Sequence, residues 1–338
     1  MYPPQKLSLY RRNNGFYYIG IEVDGKRRWK STGARKKSDA LRVMSDYRES
    51  IAVVIGHIKL GALKTKVLSH VKDHYRPKTY EIYKLALDKL YSYIGDIKVS
   101  KITHYHTDKF KLFLLKKVSA NTVNIYLRML KASFNHAVRW NDIEKNPFKG
   151  VEMMKVPERV PIHFRKEEFS KVIKAIQEDW LRDAVLFTLL TGVRRGEMIN
   201  LRWEEVDMES KLVHIQSGAT FRTKAGKRRT IPINDTAMEI LQKRKIKRDC
   251  EYVFSNNGKK LYPHWVTKKF RQYVRELGLN RQLHFHSLRH TFATWLVKAG
   301  VSIYEVQKLL GHSSVTVTQV YSHLASEELH SAVSKLHL

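Results

Sequence analysis

One cysteine in 338 residues, Cys250, excludes an internal disulfide framework and a thiolate metal cage, and it fits a reducing compartment. Long apolar runs are missing too: nothing approaches the ~20 residues that cross a bilayer, and the opening MYPPQKLSLYRRNNG has no apolar core of a secretory signal. The expected setting is the cytoplasm, with no membrane partner. No Gly-rich phosphate loop occurs, so ATP-driven chemistry is not indicated, and no internal repeat or low-complexity tract appears. Acidic residues are scarce, 32 against 63 lysines and arginines, which leaves a net charge of +31. Residues 1–60, 61–156 and 157–338 each share in that excess. A targeting tag or membrane-binding tail would concentrate it, whereas a protein that lays several modules along a polyanion spreads it; nucleic acid is therefore the leading partner. Charge alone does not separate this reading from a basic ribosomal-type protein.

The length suffices for two or three cores. Strand-period alternation comes first: LSLYRR, a turn at Asn13-Asn14-Gly15, FYYIGIEV, a turn at Asp24-Gly25, then KRRWKST. Asp-Gly between alternating runs is a strong hairpin signal, because both turn positions tolerate positive φ. This predicts a small three-stranded sheet, followed by a helix from about Ser38 with Leu41, Met44, Ile51 and Val54 as its apolar stripe. The strands carry Arg11, Arg12, Lys26, Arg27, Arg28 and Lys30, a set suited to a sheet laid in a DNA groove. Residues 64–155 read as helices, the clearest being Ala120 to Trp140, where Val123, Leu127, Leu130, Phe134 and Val138 recur at helical spacing. Asn146-Pro147 is a stop, and the polar linker MKVPERVPIH places a boundary near 156. Beyond it both periods mix, with helices near 166–178, 183–190, 195–201, 235–247, 263–277, 287–299 and 303–310 and strands at LVHIQ and RRTIPI. Ser302 with Glu305 makes a capping box, and Gly311 ends that helix. The fold class is multidomain α+β: a small three-stranded N-terminal sheet with a helix, an all-helical domain, and a mainly α domain with a small antiparallel sheet.

Four segments of the last domain concentrate reactive side chains: TGVRRGEMINL (191–201), TKAGKRRTIPI (223–233), HFHSLRHTFATWL (284–296) and LLGHSSVTVTQVYSH (309–323). Two arginines, a lysine, two histidines and a tyrosine without paired carboxylates suit a phosphodiester. Phosphoryl transfer gathers negative charge on the nonbridging oxygens, and fixed guanidinium groups stabilise it; Arg194 and Arg289 are the candidates. A departing sugar oxygen needs a proton, which Lys224, just before Ala225-Gly226 between two strands, can deliver, while Lys227 competes as a phosphate contact. Tyr321 would be the nucleophile. At a phenol pKa near ~10 only about one tyrosine in a thousand is ionised at neutral pH, so attack needs help from His286, His312 or neighbouring cations. The resulting phosphotyrosine ester keeps the energy of the broken bond and is reversible without a cofactor. His286 and His290 lie four apart, but no HExxH glutamate or carboxylate cluster accompanies them, and no metal is expected. His290 reads as a packed or hydrogen-bonded neighbour of the site, Glu197 as an anchor for the helix of Arg194, and His284, Phe292 and Trp295 as core. Tyr304 is a rival nucleophile by position alone, since no motif surrounds it.

Taken in order, these segments resemble the tyrosine recombinase family, the integrases of phages and other mobile elements. The family signature of Arg, Lys, HxxR, His or Trp, and Tyr is met by TGVRRGE with Arg194, by Lys224 before a Gly turn, by HSLR with His286 and Arg289, by Leu-Gly-His with His312, and by Tyr321 nine residues later. The resemblance spans the last domain and extends more weakly to the others. It implies that residues 1–60 are an arm-type DNA-binding domain, 64–155 a core-site DNA-binding domain, and 160–324 the catalytic domain. Residues 325–338, with Leu329, Val333 and Leu336 at helical spacing, would be a tail helix that docks on a neighbouring protomer. The implied activity is metal-independent, site-specific cutting and rejoining of double-stranded DNA through a 3′-phosphotyrosine. It would be carried out by a tetramer on core-type and arm-type sites, with DNA-bending or excision proteins as accessories and integration or excision of a mobile element as the result. The expected place is a prokaryotic or phage-infected cytoplasm. Arg11, Arg12, Arg27, Arg28, Lys30, Asn121 and Lys227 are the candidate DNA contacts. Two other readings stay open: a type IB topoisomerase, which shares the chemistry but relaxes supercoils as a monomer, and a DNA-binding regulator that has lost catalysis. The arm-like sheet and tail weigh against the first, and the six filled positions against the second. The run VTVT between His312 and Tyr321 is four β-branched residues, poor in a helix, which predicts a loosely held tyrosine segment.

Overall fold

The computed structural model describes residues 7–23, 26–54, 58–157, 160–216 and 228–325, and it divides into two units, Met1–Pro157 and Glu158–Leu338. The first unit opens with β1 (Leu7–Arg11), β2 (Tyr17–Val23) and β3 (Lys26–Ser31), an antiparallel sheet in the order β1-β2-β3, followed by α1 (Lys37–Val54). Pairing of Leu7 with Ile21 and Leu9 with Ile19 puts these apolar side chains on one face, against which α1 packs. The helix meets the sheet through Ala40, Val43, Met44 and Tyr47, which are buried or half-buried, whereas Leu41 is 44% exposed. Of the expected stripe Met44 is on the inner side, while Leu41 falls just outside it and small Ala40 takes the inward position instead. Ile51 and Val54 lie outside the residues whose side chains are described.

The other face of this sheet carries Tyr10, Tyr18 and Trp29. Arg12 lies 4.4 Å from the centre of the Tyr18 ring and 5.4 Å from that of Trp29, which Arg27 approaches at 5.6 Å. Gly20 makes room for the indole: a Cβ there would meet the Trp29 ring at 3.0 Å and Ser8 Oγ at 2.6 Å.

Four helices, α2 (Leu60–His74), α3 (Pro77–Ile94), α4 (His104–Leu115) and α5 (Ala120–Arg139), share a core that includes Leu63, Val67, Leu87, Phe110, Leu127 and Phe134. Ser119 Oγ accepts from the Thr122 N–H and starts α5, whose expected stripe is buried apart from the half-buried Val138. Leu60 is fully buried at the start of α2, so the expected limit at 64 falls inside a helix.

The second unit holds α6 (Lys166–Ala175), α7 (Asp179–Thr191) and α8 (Arg195–Asn200), then an antiparallel sheet of β4 (Val206–Asp207), β5 (Leu212–Ile215) and β6 (Arg229–Pro232). After α9 (Asp235–Ile246) comes a hairpin of β7 (Ser255–Asn256) and β8 (Lys259–Lys260), then α10 (Pro263–Glu276), α11 (Ser287–Lys298) and α12 (Ile303–Leu310). The hairpin was signalled by Asn257-Gly258, which adopt positive φ of 49° and 72°, but the flanking runs are too short to show alternation. Phe164, Phe187, Phe254, Phe270 and Phe285 fill the main core. A separate cluster of Ala293, Val297, Val306, Leu310 and Tyr321 joins α11 and α12 to a 3₁₀ segment, Gln319–Ala325.

Candidate active site

Arg289, in the first turn of α11, is 2% exposed. Its Nη1 donates to the Gly192 carbonyl and its Nη2 to the Leu310 carbonyl, both at 2.6 Å. Those oxygens lie at the C-terminal ends of α7 and α12, where carbonyls lack intrahelical partners and the helix dipole is negative. Each helix stops at a left-handed glycine, Gly192 at φ 63° and Gly311 at φ 64°. A side chain on Gly192 would collide with the Phe292 ring, and one on Gly311 with the Arg229 side chain. Burial, and then the charge of Arg194, push Arg289 down to about 9, which still leaves it cationic at neutral pH.

Arg194 precedes α8, and its N–H donates to Glu197 Oε2 at 2.8 Å while its Nη1 donates to Oε1 at 2.9 Å. Arg229 reaches the same carboxylate from the start of β6, with Nη1 on Oε1 at 3.0 Å and Nη2 on Oε2 at 2.6 Å, and its Nε donates to the Leu309 carbonyl. Glu197 is 3% exposed. Burial alone would raise its carboxyl, but hydrogen bonds and charge from Arg229, then from Arg194, outweigh that and hold it at about 2. Glu197 thus anchors Arg194 as its position suggests. Arg229 was not singled out in the sequence, although one signal was present: it shares a strand face with the buried Ile231 and Ile233, and an arginine on an apolar face needs a buried counter-charge.

Tyr321 is 2% exposed, and its hydroxyl lies 2.6 Å from Nδ1 of His290. Burial pushes the phenol up to about 12 despite the opposing pull of Arg289. His290 is itself held at about 4, by burial first and then by the charge of His286, so its ring is neutral at pH 7. The exposed His286 stands at the N-terminus of α11 with its ring centre 4.9 Å from that of His290. His312 follows Gly311, its Nδ1 is 2.8 Å from Thr318 Oγ1, and burial with the charges of Arg289, Arg194 and Arg229 lowers it to about 4. Arg194, His286, Arg289, His312 and Tyr321 therefore gather in one place. Lys224 and Lys227 lie outside the described residues. In the tyrosine segment Val315–Val317 is a 3₁₀ turn, in keeping with its β-branched residues, and Tyr321 and Val320 pack on α11 and α12.

The remaining candidates fall in the first unit. Arg12 and Arg27 flank Trp29 on the outward sheet face, while the register turns Arg28 and Lys30 to the other face, where Lys30 sits over Tyr47. Arg11 donates weakly to the Gly15 carbonyl at 3.4 Å, and Asn121 is exposed in the first turn of α5. Among the described residues no group of three His, Cys, Asp or Glu side chains is arranged to hold a metal, and no helix is long and apolar enough to cross a membrane.

Residues 163–328 match the phage integrase family, and residues 60–156 match the phage integrase SAM-like domain. A tyrosine recombinase of Pseudothermotoga lettingae is 30% identical over 250 residues, which are 72% of this chain and 85% of that one. Tyrosine recombinase XerA of Pyrococcus furiosus is 32% identical, over 66% and 77% of the two chains. The chain belongs to the tyrosine recombinase family. As a tyrosine recombinase it is a DNA-cleaving and rejoining enzyme. Two solved structures share the recombinase fold at 20% identity: the Tn1549 transposon integrase in complex with a circular intermediate DNA (TM-score 0.71, 82% of this chain and 100% of that one), and a lambda integrase dimer bound to a COC′ core site (TM-score 0.67, 94% of each).

The charge states of this recombinase site predict its acid response. The depressed Glu197 contributes stability that is present above its ordinary value of 4.5 and is lost as pH falls towards 2. His290 and His312 stay neutral in the folded state down to about 4, while the unfolded chain binds protons near 6.5, so stability also drops between pH 6.5 and 4. Denaturant titrations from pH 8 to 3 should show both limbs. Glu197→Gln should shrink the lower limb, to which lowered carboxyls such as Glu178 and Asp249 also contribute, and, by leaving Arg194 and Arg229 without their counter-charge, lower stability at pH 7 by about 3 kcal/mol. An unchanged lower limb in that variant would contradict the assignment.

Proposed function

We propose that this recombinase cuts one DNA strand at a time by attack of the Tyr321 phenol on a phosphodiester, leaves a 3′-phosphotyrosine, and religates it to a different 5′-hydroxyl. The observation that carries this reading is the gathering of Arg194, Arg289, His286 and His312 around the buried Tyr321. Arg194 and Arg289 would hold the nonbridging oxygens. Fixed by carbonyls and by Glu197 before any substrate arrives, they need little reorganisation when charge develops. His286 and His312 would donate to the same phosphate, and Lys224 would protonate the departing 5′-oxygen, a role that rests on its place in the signature. Because Tyr321 is buried, DNA engagement has to uncover its hydroxyl to bring oxygen and phosphorus within reach.

Residues 1–60 would bind arm-type sites through the Arg12, Arg27 and Trp29 face, and residues 64–155 core-type sites, where Asn121 is a candidate contact. The working form would be a tetramer, a reading supported by the structure of a lambda integrase tetramer bound to a Holliday junction, with residues 325–338 docking on the neighbouring protomer. Integration or excision of a mobile element in the cytoplasm, with bending or excision proteins assisting, fits the same reading.

The test is to incubate the full-length protein with nicked duplexes drawn from DNA flanking its gene, recover the covalent complex, and sequence the attached peptide. Expected is a single cleavage position with its 3′-phosphate on Tyr321. A 5′-linkage, or attachment through another residue, would overturn the assignment. Equal relaxation of plasmids with and without the mapped site would favour the topoisomerase reading instead.

A further inference from the structure

The nitrogen bonded to the Tyr321 hydroxyl belongs to His290, which is not among the six signature positions. His290 lies one helical turn after His286 on α11, on the side that brings Ala293 and Val297 into the cluster around Tyr321. Helix and cluster together fix the ring against the phenol. His312, by contrast, has its Nδ1 engaged with Thr318 Oγ1, and His286 is exposed at the helix N-terminus, where it can meet a phosphate.

We propose that His290 is the proton acceptor for the tyrosine nucleophile. This rests on the reading of Tyr321 as the attacking group. With the ring proton on Nε2, Nδ1 accepts from the phenol. As the phenol oxygen bonds phosphorus, its proton passes to Nδ1. The bond from phosphorus to the 5′-oxygen breaks with its electron pair, and that oxygen takes a proton from the acid assigned to Lys224. In the rejoining step a 5′-hydroxyl attacks the phosphotyrosine and gives its proton back to the group assigned as acid, Lys224, while the phenol oxygen leaves with the bonding pair and His290 returns the proton to it. The site ends with the protons it began with.

Two features support this. With the phenol near 12, only about one molecule in 100,000 is ionised at pH 7, so attack by preformed phenolate is slow, and a base already in contact avoids that step. His290 also has the protonation state the task requires. It faces Arg289 and His286 of its own helix, His284 before it, His163 ahead of α6, and Tyr321 and His312 after α12, and burial with the positive members of that set keeps its ring neutral.

The experiment is single-turnover adduct formation on a nicked duplex carrying the mapped site, from pH 6 to 9, with the full-length wild type, His290→Asn and Tyr321→Phe. Gel-shift binding reports folding. The wild-type rate should be nearly flat over this range. His290→Asn, which retains an acceptor but no base, should bind DNA normally, react about 100-fold more slowly at pH 7, and gain about tenfold per pH unit as the phenol has to ionise by itself. Wild-type rate and profile in His290→Asn would overturn the proposal and leave Tyr321 as nucleophile. A wild-type rate that itself climbs tenfold per unit would also overturn it, without any variant. Adduct formation by Tyr321→Phe would remove the nucleophile reading and this inference together.

Discussion

Tyr321→Phe is expected to form no covalent complex on a nicked duplex while its gel-shift affinity stays within about twofold of wild type, since the phenol is buried and free to make few DNA contacts in the resting protein. Its stability should fall slightly. The variant leaves His290 Nδ1 without its 2.6 Å partner, a loss worth about 1 kcal/mol, or roughly 2–4 °C in Tm for a unit of this size. Adduct that persists would place the nucleophile elsewhere, and Tyr304, 66% exposed in the first turn of α12, would be the first residue to examine.

Arg289→Ala should combine the largest loss of rate with a large loss of stability. Removing a fixed donor to the transition-state oxygens costs about 10²–10³-fold, and here the charge is lost as well, so cleavage should fall by roughly 10³-fold or more. The same change leaves the Gly192 and Leu310 carbonyls without their donor in a site 2% exposed, at about 3 kcal/mol. Arg194→Ala is the informative companion. Its side chain is 23% exposed and Glu197 keeps Arg229, so cleavage should collapse with a smaller shift of the denaturation midpoint. Single-turnover rates paired with denaturant midpoints would check both, and equal midpoints for the two variants would refute the structural role given to Arg289.

Much of this site was legible in the sequence because its members sit at fixed offsets from punctuation that the backbone requires. Arg194 follows a helix-ending glycine by two residues, Arg289 follows His286 by three, and His312 comes directly after the glycine that stops α12. What was not legible depends on atoms or pairings that a one-dimensional pattern does not carry. The acceptors that fix Arg289 are main-chain oxygens with no side-chain signature. Arg229 matters because β6 begins beside the end of α12, a tertiary coincidence. His290 read as a hydrogen-bonded neighbour, and only folding reveals that its partner is Tyr321. The β-branched run before Tyr321 argued correctly against an α-helix, while the packing of Tyr321 and Val320 on α11 and α12 joins residues far apart in the chain and left no local pattern. In the N-terminal unit the strands and turns were readable, while the inward position that Ala40 takes in α1 was obscured by a larger apolar residue, Leu41.

The carbonyl anchors of the two arginines bear on how this sequence can drift. A main-chain oxygen survives every side-chain replacement, so positions 309 and 310 can vary in side chain and still hold Arg229 and Arg289 as long as the last turn of α12 persists. The glycines have no such latitude, since Gly192 and Gly311 combine left-handed backbone with a neighbour already in contact. The mutational target of the cationic centre is thereby narrow: three guanidinium groups, one carboxylate and two glycines, set in a scaffold whose remaining contributions to it are chemically indelible.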